Sequence, residues 1–199
     1  MEISAALVKD LREKTGAPMM DCKKTLQEVN GDINKAIDRL REKGMKASLT
    51  KAARSAKEGL IGSYVHPGSK IGVLVEVNCE TDFVARTAEF HELVKNLAMQ
   101  IAAANPLYLF REDVPSGVLE KEKEIYRNQA LQTGRPEKVI DKIVEGKMEK
   151  FYAEVCLMEQ SYVREPELTI KSLLDAHIGK IGENMVIRRF CRFQLGETV

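Results

Sequence analysis

The stretch I-G-V-L-V-E-V-N-C-E-T-D-F-V-A, residues 71–85, changes character in its second half. Residues 71–79 are nearly all apolar, which predicts a central strand of a sheet. Beyond them Phe90, Val94, Leu97 and Ile101 recur at helical spacing, which predicts a helix over 84–104. Thr81 and Asp82 stand at the joint, where a hydroxyl or carboxylate can accept hydrogen bonds from the free amides of a helix start. Asp82 also complements the positive end of that helix. Phe83 has two readings. By angle it falls on the same stripe as Phe90, Val94 and Ile101, which favours the core. It also stands in the first turn, where a side chain can overhang the edge of a domain and a rigid aromatic makes an interface anchor.

Working outward, G-L-I-G-S-Y-V-H precedes the apolar run, with Pro67-Gly68 between them. This predicts an antiparallel hairpin. Residues 1–44 read as three short helices. Ser4 caps the first, which carries Ile3, Leu7 and Leu11 and stops at Gly16. Asp21 caps the second, after Pro18, with Cys22, Leu26 and Val29 inward and Asn30-Gly31 as its end. Asp32 caps the third, with Ile33, Ala36, Ile37 and Leu40 inward and Gly44 as the stop. Residues 45–56 are rich in Ala, Ser and Lys and read as a helical extension or linker. Two charge-rich periodic runs, 114–132 and 136–156, read as a helical hairpin turning at Thr133-Gly134-Arg135-Pro136. The run N-M-V-I-R-R-F-C-R-F-Q-L, 184–195, reads as a last strand. The expected fold is α+β: a three-helix bundle over 1–44, a linker over 45–56, and a core over 57–199 with a small antiparallel β-sheet and the helical hairpin of about 114–156.

The 199 residues are 44% apolar and 31% charged, the balance of a soluble globular protein with a real core. A formal net charge of +1 argues against nucleic acid as the main ligand, because phosphate binding usually leaves a basic excess. The opening M-E-I-S-A-A has no basic, apolar leader, and no segment reaches the roughly 20 apolar residues of a membrane span, so a cytoplasmic protein is expected. Cys22, Cys79, Cys156 and Cys191 form no C-x-x-C, and His66, His91 and His177 lack metal spacing. Neither a zinc site nor a disulfide framework is expected; the thiols read as reduced and mostly buried. No phosphate loop, nucleophile elbow or metalloprotease motif is present, so no cofactor, metal or covalent catalysis is expected.

Met19-Met20 stands out between two helices. Two adjacent methionines cannot both face one small core. Either one is core and the other filler, or the pair is an adaptable apolar contact for a partner.

K-T-G-A-P-M-M-D-C-K-K-T-L (14–26) and E-V-N-C-E-T-D-F-V-A (76–85) resemble the two signature stretches of bacterial translation elongation factor Ts. G-S-Y-V-H (62–66), V-E-G-K-M-E-K-F (144–151), L-M-E-Q-S-Y-V (157–163) and I-R-R-F-C-R-F-Q-L-G-E (187–197) are similar to further segments in family order. The resemblance implies a ubiquitin-associated-like bundle and an α+β core. It also implies a function that needs no covalent chemistry: guanine-nucleotide exchange on the GTPase elongation factor Tu, in its GDP-bound and nucleotide-free forms. Carried onto this chain, Asp82 and Phe83 would be the central contacts, with Thr81 and Val84 beside them as partner-binding residues and Phe83 wedged between helices of the GTPase domain near its magnesium and phosphate site. Met19 and Met20 would pack on another helix, with Arg12 and Lys23 as polar contacts, and His66 matches a further contact position. Long family members carry a duplicated core, a coiled-coil insertion and a C-terminal module; this chain has one core unit. Short members of the family dimerise, so a homodimer is expected, with Phe190, Cys191 and Phe193 of the last strand at the interface. The alternative class is an interaction module without exchange activity, which would leave the T-D-F-V joint unexplained.

Overall fold

The computed structural model describes residues 3–132 and 136–197. The fold is mixed α+β: a helical N-terminal region followed by a core whose small antiparallel sheet is flanked by helices. The chain divides into two compact units. One comprises Met1–Ile61, Glu76–Glu92 and Ser172–Arg188; the other comprises Gly62–Val75, Leu93–Lys171 and Arg189–Val199.

The first unit opens with α1 (Ala5–Thr15), α2 (Met19–Glu28) and α3 (Ile33–Lys51). Ser4 caps α1 by accepting from the Leu7 amide, and Asp32 caps α3 by accepting from the Lys35 amide. Val8, Leu11, Cys22, Leu26 and Ala36 close a small core, lined further by Leu7, Val29, Ile33, Ile37 and Leu40. Two boundaries differ from the sequence reading. The cap of α2 is Pro18, not Asp21, because the proline carbonyl already accepts from the Asp21 and Cys22 amides. Asp21 lies in the first turn instead, where its charge suits the positive helix end.

The second difference is Gly44, which does not stop α3. The helix runs on to Lys51, so the helical-extension reading holds for the first half of 45–56. Gly44 is buried, and a Cβ there would lie 3.5 Å from the Asp175 carbonyl of α8 (Ile170–Ile181). A Cβ on Gly179 would come within 3.0 Å of the Gly44 Cα. The tight approach is therefore on the Gly179 side, where a Cβ would crowd the α3 backbone, whereas a Cβ on Gly44 would sit at ordinary contact distance.

The sheet has the order β1-β2-β5, from β1 (Glu58–Val65), β2 (Ile71–Cys79) and β5 (Met185–Gln194). β2 is central, as its apolar run implies, and Val73, Val75, Val77 and Cys79 alternate inward. The turn from β1 closes with Ser69 N–H to His66 O and His66 N–H to Ile71 O, both at 2.9 Å. In β5 the alternation slips at Arg188 and Arg189, both exposed. Beyond the slip Phe190 and Arg192 are half-buried, while Cys191 and Phe193 are exposed.

After β2 the chain forms α4 (Asp82–Ala85) and then α5 (Ala88–Ala104). The single helix expected over 84–104 is therefore two. The break is Thr87, whose hydroxyl accepts from the Phe90 amide at 3.2 Å and donates to the Val84 carbonyl at 2.8 Å. A side chain that satisfies a free amide from outside the helix starts a new helix there.

The second unit carries the helical hairpin, α6 (Ser116–Leu131) and α7 (Glu137–Val155), with Arg127 bonded to Glu137 and Asp141 across it. Of its expected turn, residues 133–135 lie outside the described residues. For residues 157–181 the sequence pattern predicts no element. They hold the antiparallel pair β3 (Ser161–Tyr162) and β4 (Glu165–Thr169), followed by α8. Gln100 and Gln160 are buried there with their side chains bonded to each other, and Gln100 Oε1 accepts from the Val163 amide.

Candidate partner-binding site

β2 delivers the chain to Glu80 with its inward valines buried on the core side. The turn that follows is held from several directions. Both the Glu80 and Thr81 amides donate to one oxygen of Glu183, each at 3.1 Å. The Thr81 hydroxyl donates to the other oxygen at 2.6 Å and accepts from the Val84 amide at 3.4 Å. The buried Cys79 thiol donates to the Thr81 carbonyl at 3.2 Å. In return the Glu80 carboxylate accepts from the Asn184 amide at 2.6 Å, with the Arg54 guanidinium 3.6 Å away. Two carboxylates thus exchange bonds across a turn whose contacts come from 102 residues further along the chain. Charge-assisted bonds of this kind are shorter and stronger than neutral ones. Burial and the nearby Glu183 charge push the Cys79 thiol up to about 11, so it stays protonated and keeps its donor role.

On this mount α4 presents its side chains in three ways. Ala85 is buried, Val84 is half-buried, and Phe83 is 79% exposed. The core reading of Phe83 does not hold. Asp82 is half-buried and pairs with Arg86 one turn on, at 2.9 Å. An isolated exposed apolar side chain is ordinary. This one is a large aromatic on a turn fixed by six hydrogen bonds from side chains or to them.

Met19 and Met20 open α2 and are 44% and 60% exposed, so neither belongs to the small core. The loop that feeds them is ordered by short-range bonds. Thr15 donates to the Leu11 carbonyl and accepts from the Ala17 amide, and the Cys22 thiol donates to the Ala17 carbonyl. Burial raises the Cys22 thiol as well. Lys23 is exposed one turn along α2, and Arg12 is exposed in the last turn of α1. Thr81, Asp82, Phe83 and Val84 therefore form one turn. Met19, Met20 and Lys23 form a second cluster in the same unit, with Arg12 on the neighbouring helix. His66 stands in the other unit, exposed at the β1–β2 turn, with its Nδ1 3.0 Å from the Tyr64 hydroxyl.

The sequence reading missed three kinds of residue. Glu183 and Asn184, which hold the turn, carry no local signature. Met45 and Leu49 of α3 are exposed apolar residues hidden by the expectation that the helix ends at Gly44. Arg54, Lys57 and Arg188 line a shallow cleft with Asn78 and Asn184. Among the described residues no group of three or more His, Cys, Asp or Glu is placed to hold a metal ion, and no helix is long and apolar enough to cross a membrane.

Comparison with known proteins finds one family across the sequence. The family model described as "Elongation factor TS" matches residues 2–197. A protein named "Elongation factor Ts" from Thermoanaerobacter sp. (strain X514) is 64% identical over 197 residues, which cover 99% of this chain and 97% of its own. Its namesake from Geobacter sulfurreducens is 59% identical over 197 residues, covering 99% and 91%. A third, from Koribacter versatilis, is 59% identical over 198 residues, covering 100% and 90%.

Proposed function

The chain belongs to the elongation factor Ts family, and from that premise we propose that it is a guanine-nucleotide exchange factor acting on elongation factor Tu in the cytoplasm. It works by binding and performs no covalent chemistry. The single observation that carries the mechanism is Phe83, 79% exposed on a turn clamped at Glu80 and Thr81.

In this reading Phe83 enters the GTPase domain and displaces the elements that hold magnesium and phosphate. Fully burying such a side chain is worth roughly 1.5 to 3 kcal/mol. Part of that free energy is offset by distorting the partner. Asp82 supplies a charge beside the wedge, and Thr81 and Val84 set its base. Met19 and Met20 give a second contact whose flexible side chains adapt to the surface they meet. Arg12, Lys23 and His66 add polar contacts. The physics is linkage: a factor that weakens GDP binding is itself bound more weakly in the presence of GDP, by the same ratio. The bundle of residues 1–44 and the turn at 80–85 are the partner-binding elements of this scheme.

We also propose that the protein is a homodimer. The edge strand β5 and its neighbour β2 expose Phe193, Cys191 and Leu74 in one unit, with Leu195 just beyond. Edge strands with apolar side chains favour pairing.

Release of fluorescent GDP from preloaded elongation factor Tu tests the exchange reading. Acceleration by micromolar protein is expected, and its absence would sink the proposal. Sedimentation across a concentration series tests the dimer; a monomer at every concentration defeats it.

A further inference from the structure

We infer that Glu183 is a positioning residue for exchange: its carboxylate fixes the Glu80–Thr81 backbone and thereby aims Phe83. The inference rests on the exchange reading of the Phe83 turn.

Three bonds converge on this one carboxylate, from two consecutive amides and the Thr81 hydroxyl, at 3.1, 3.1 and 2.6 Å. Consecutive amides facing one acceptor leave the peptide plane between them little freedom. The hydroxyl bond matters most for aim. Thr81 donates to Glu183 and accepts from the Val84 amide, so the same oxygen that Glu183 holds opens α4. A hydroxyl that donates to a carboxylate becomes a better acceptor. Phe83 is the second residue of that helix, and its direction follows the helix start.

A clamp works only if its base is fixed. Glu183 follows α8 by two residues, after Gly182 in the left-handed region at φ 90°. The end of α8 is anchored to the rest of the unit at two points. Gly179 abuts the Gly44 backbone of α3. Lys180 pairs with Glu89 of α5 at 2.6 Å, while its side chain runs over Gly16, where a Cβ would lie 2.8 Å from the ammonium nitrogen. Gly16 leads into the loop before Met19. The end of α8 therefore touches the approaches to both contact stretches, and Glu183 is its link to the Phe83 turn.

A polar group that merely stabilised the fold would lower stability and leave the wedge correctly aimed in the folded fraction. A positioning residue loses its effect when the side chain it aims is absent. The test uses the full chain as wild type, Glu183→Ala, Glu183→Gln, Phe83→Ala and the Glu183→Ala/Phe83→Ala double variant, with elongation factor Tu loaded with fluorescent GDP. Glu183→Ala is expected to slow release on the order of tenfold. Glu183→Gln keeps one acceptor oxygen and is expected to lose less. In the Phe83→Ala background the further loss is expected to stay below about twofold, since residues acting as a unit are not additive. Amide hydrogen exchange should speed up at Glu80, Thr81 and Val84 in Glu183→Ala and stay unchanged in α1–α3. Should Glu183→Ala fail to fold, the same comparisons are made with Glu183→Gln. Equal losses with and without Phe83, or wild-type release by both Glu183 variants, would overturn this inference alone. A wild type that releases no GDP would overturn the exchange reading beneath it.

Discussion

Phe83 and Phe90 are the same residue seven positions apart, and by helical angle they share a stripe. In the fold one is 79% exposed and the other 0%. The difference comes from two threonines. Thr81 opens α4, and Thr87 ends the run by opening α5 six residues later. Apolar periodicity has meaning only within one helix, because each cap resets the phase. From Phe90 onward the stripe is real: Leu93, Val94, Leu97 and Ile101 are all buried. Ahead of the reset, Phe83 is free of the core. A side chain that the core does not need can be given to a partner without costing the fold.

The largest expected effect lies on the buried side of this pair. Phe90→Ala should lose ~3–5 kcal/mol of stability, the usual cost of emptying a buried aromatic site. Urea unfolding followed by circular dichroism would measure it. A loss under about 1 kcal/mol would mean that Phe90 is no more a core residue than Phe83, and the contrast would collapse.

On the exposed side, Phe83→Ala should leave stability within about 0.5 kcal/mol, the range of ordinary surface changes. Its effect should appear in exchange instead. Losing ~1.5–3 kcal/mol of burial in the complex corresponds to GDP release slowed roughly 10- to 100-fold. Unfolding and exchange measured on the same two variants should therefore sort in opposite directions. If Phe83→Ala unfolds as readily as Phe90→Ala, the exposed aromatic is structural after all.

The reset itself can be removed. Thr87→Ala should lose ~1 kcal/mol, the typical worth of a helix cap. It should also slow GDP release, because the bond that ends α4 is lost along with the one that starts α5. Thermal unfolding gives the first quantity and stopped-flow fluorescence the second. Normal exchange in a destabilised Thr87→Ala would show that Thr81 and its clamp aim Phe83 without help from Thr87.

Much of the fold was legible because its causes are local. Ser4 and Asp32 cap the helices assigned to them, the apolar run of β2 marks the central strand, and the charge-rich periodic runs became α6 and α7. What was not legible depends on distant chain. Gly44 reads as a stop, yet α3 passes through it, and its backbone there packs against Gly179 of α8. Thr87 in a run of helical spacing gives no sign that it will cap rather than continue. The site shows the same division. Thr81, Asp82 and Phe83 are visible as a cap with an aromatic, whereas Glu183 is an acid after a glycine, and its purpose appears only when folding returns it to the Thr81 amide.

The smallest expected effect concerns Asp82, which differs from Thr81 in how it is held. Thr81 is fixed by a half-buried carboxylate, whereas Asp82 is paired at 2.9 Å with Arg86, whose side chain is 78% exposed. An exposed pair one helical turn apart gains little Coulomb energy in water and loses side-chain entropy, so Arg86→Ala should change stability by under about 0.5 kcal/mol. Its consequence for binding can have either sign, and the sign is informative. If Asp82 must leave Arg86 to meet a cation on the partner, removing Arg86 releases it in advance, and association should be faster at low salt. If Arg86 instead holds Asp82 in the orientation used in the complex, association should slow. Both effects should shrink as ionic strength rises and the charges are screened. The equivalent experiment on Glu183 should be far less sensitive to salt, because its partners are amides and a hydroxyl rather than a mobile charge. Comparing the two salt dependences therefore separates the part of the turn that is mount from the part that is contact.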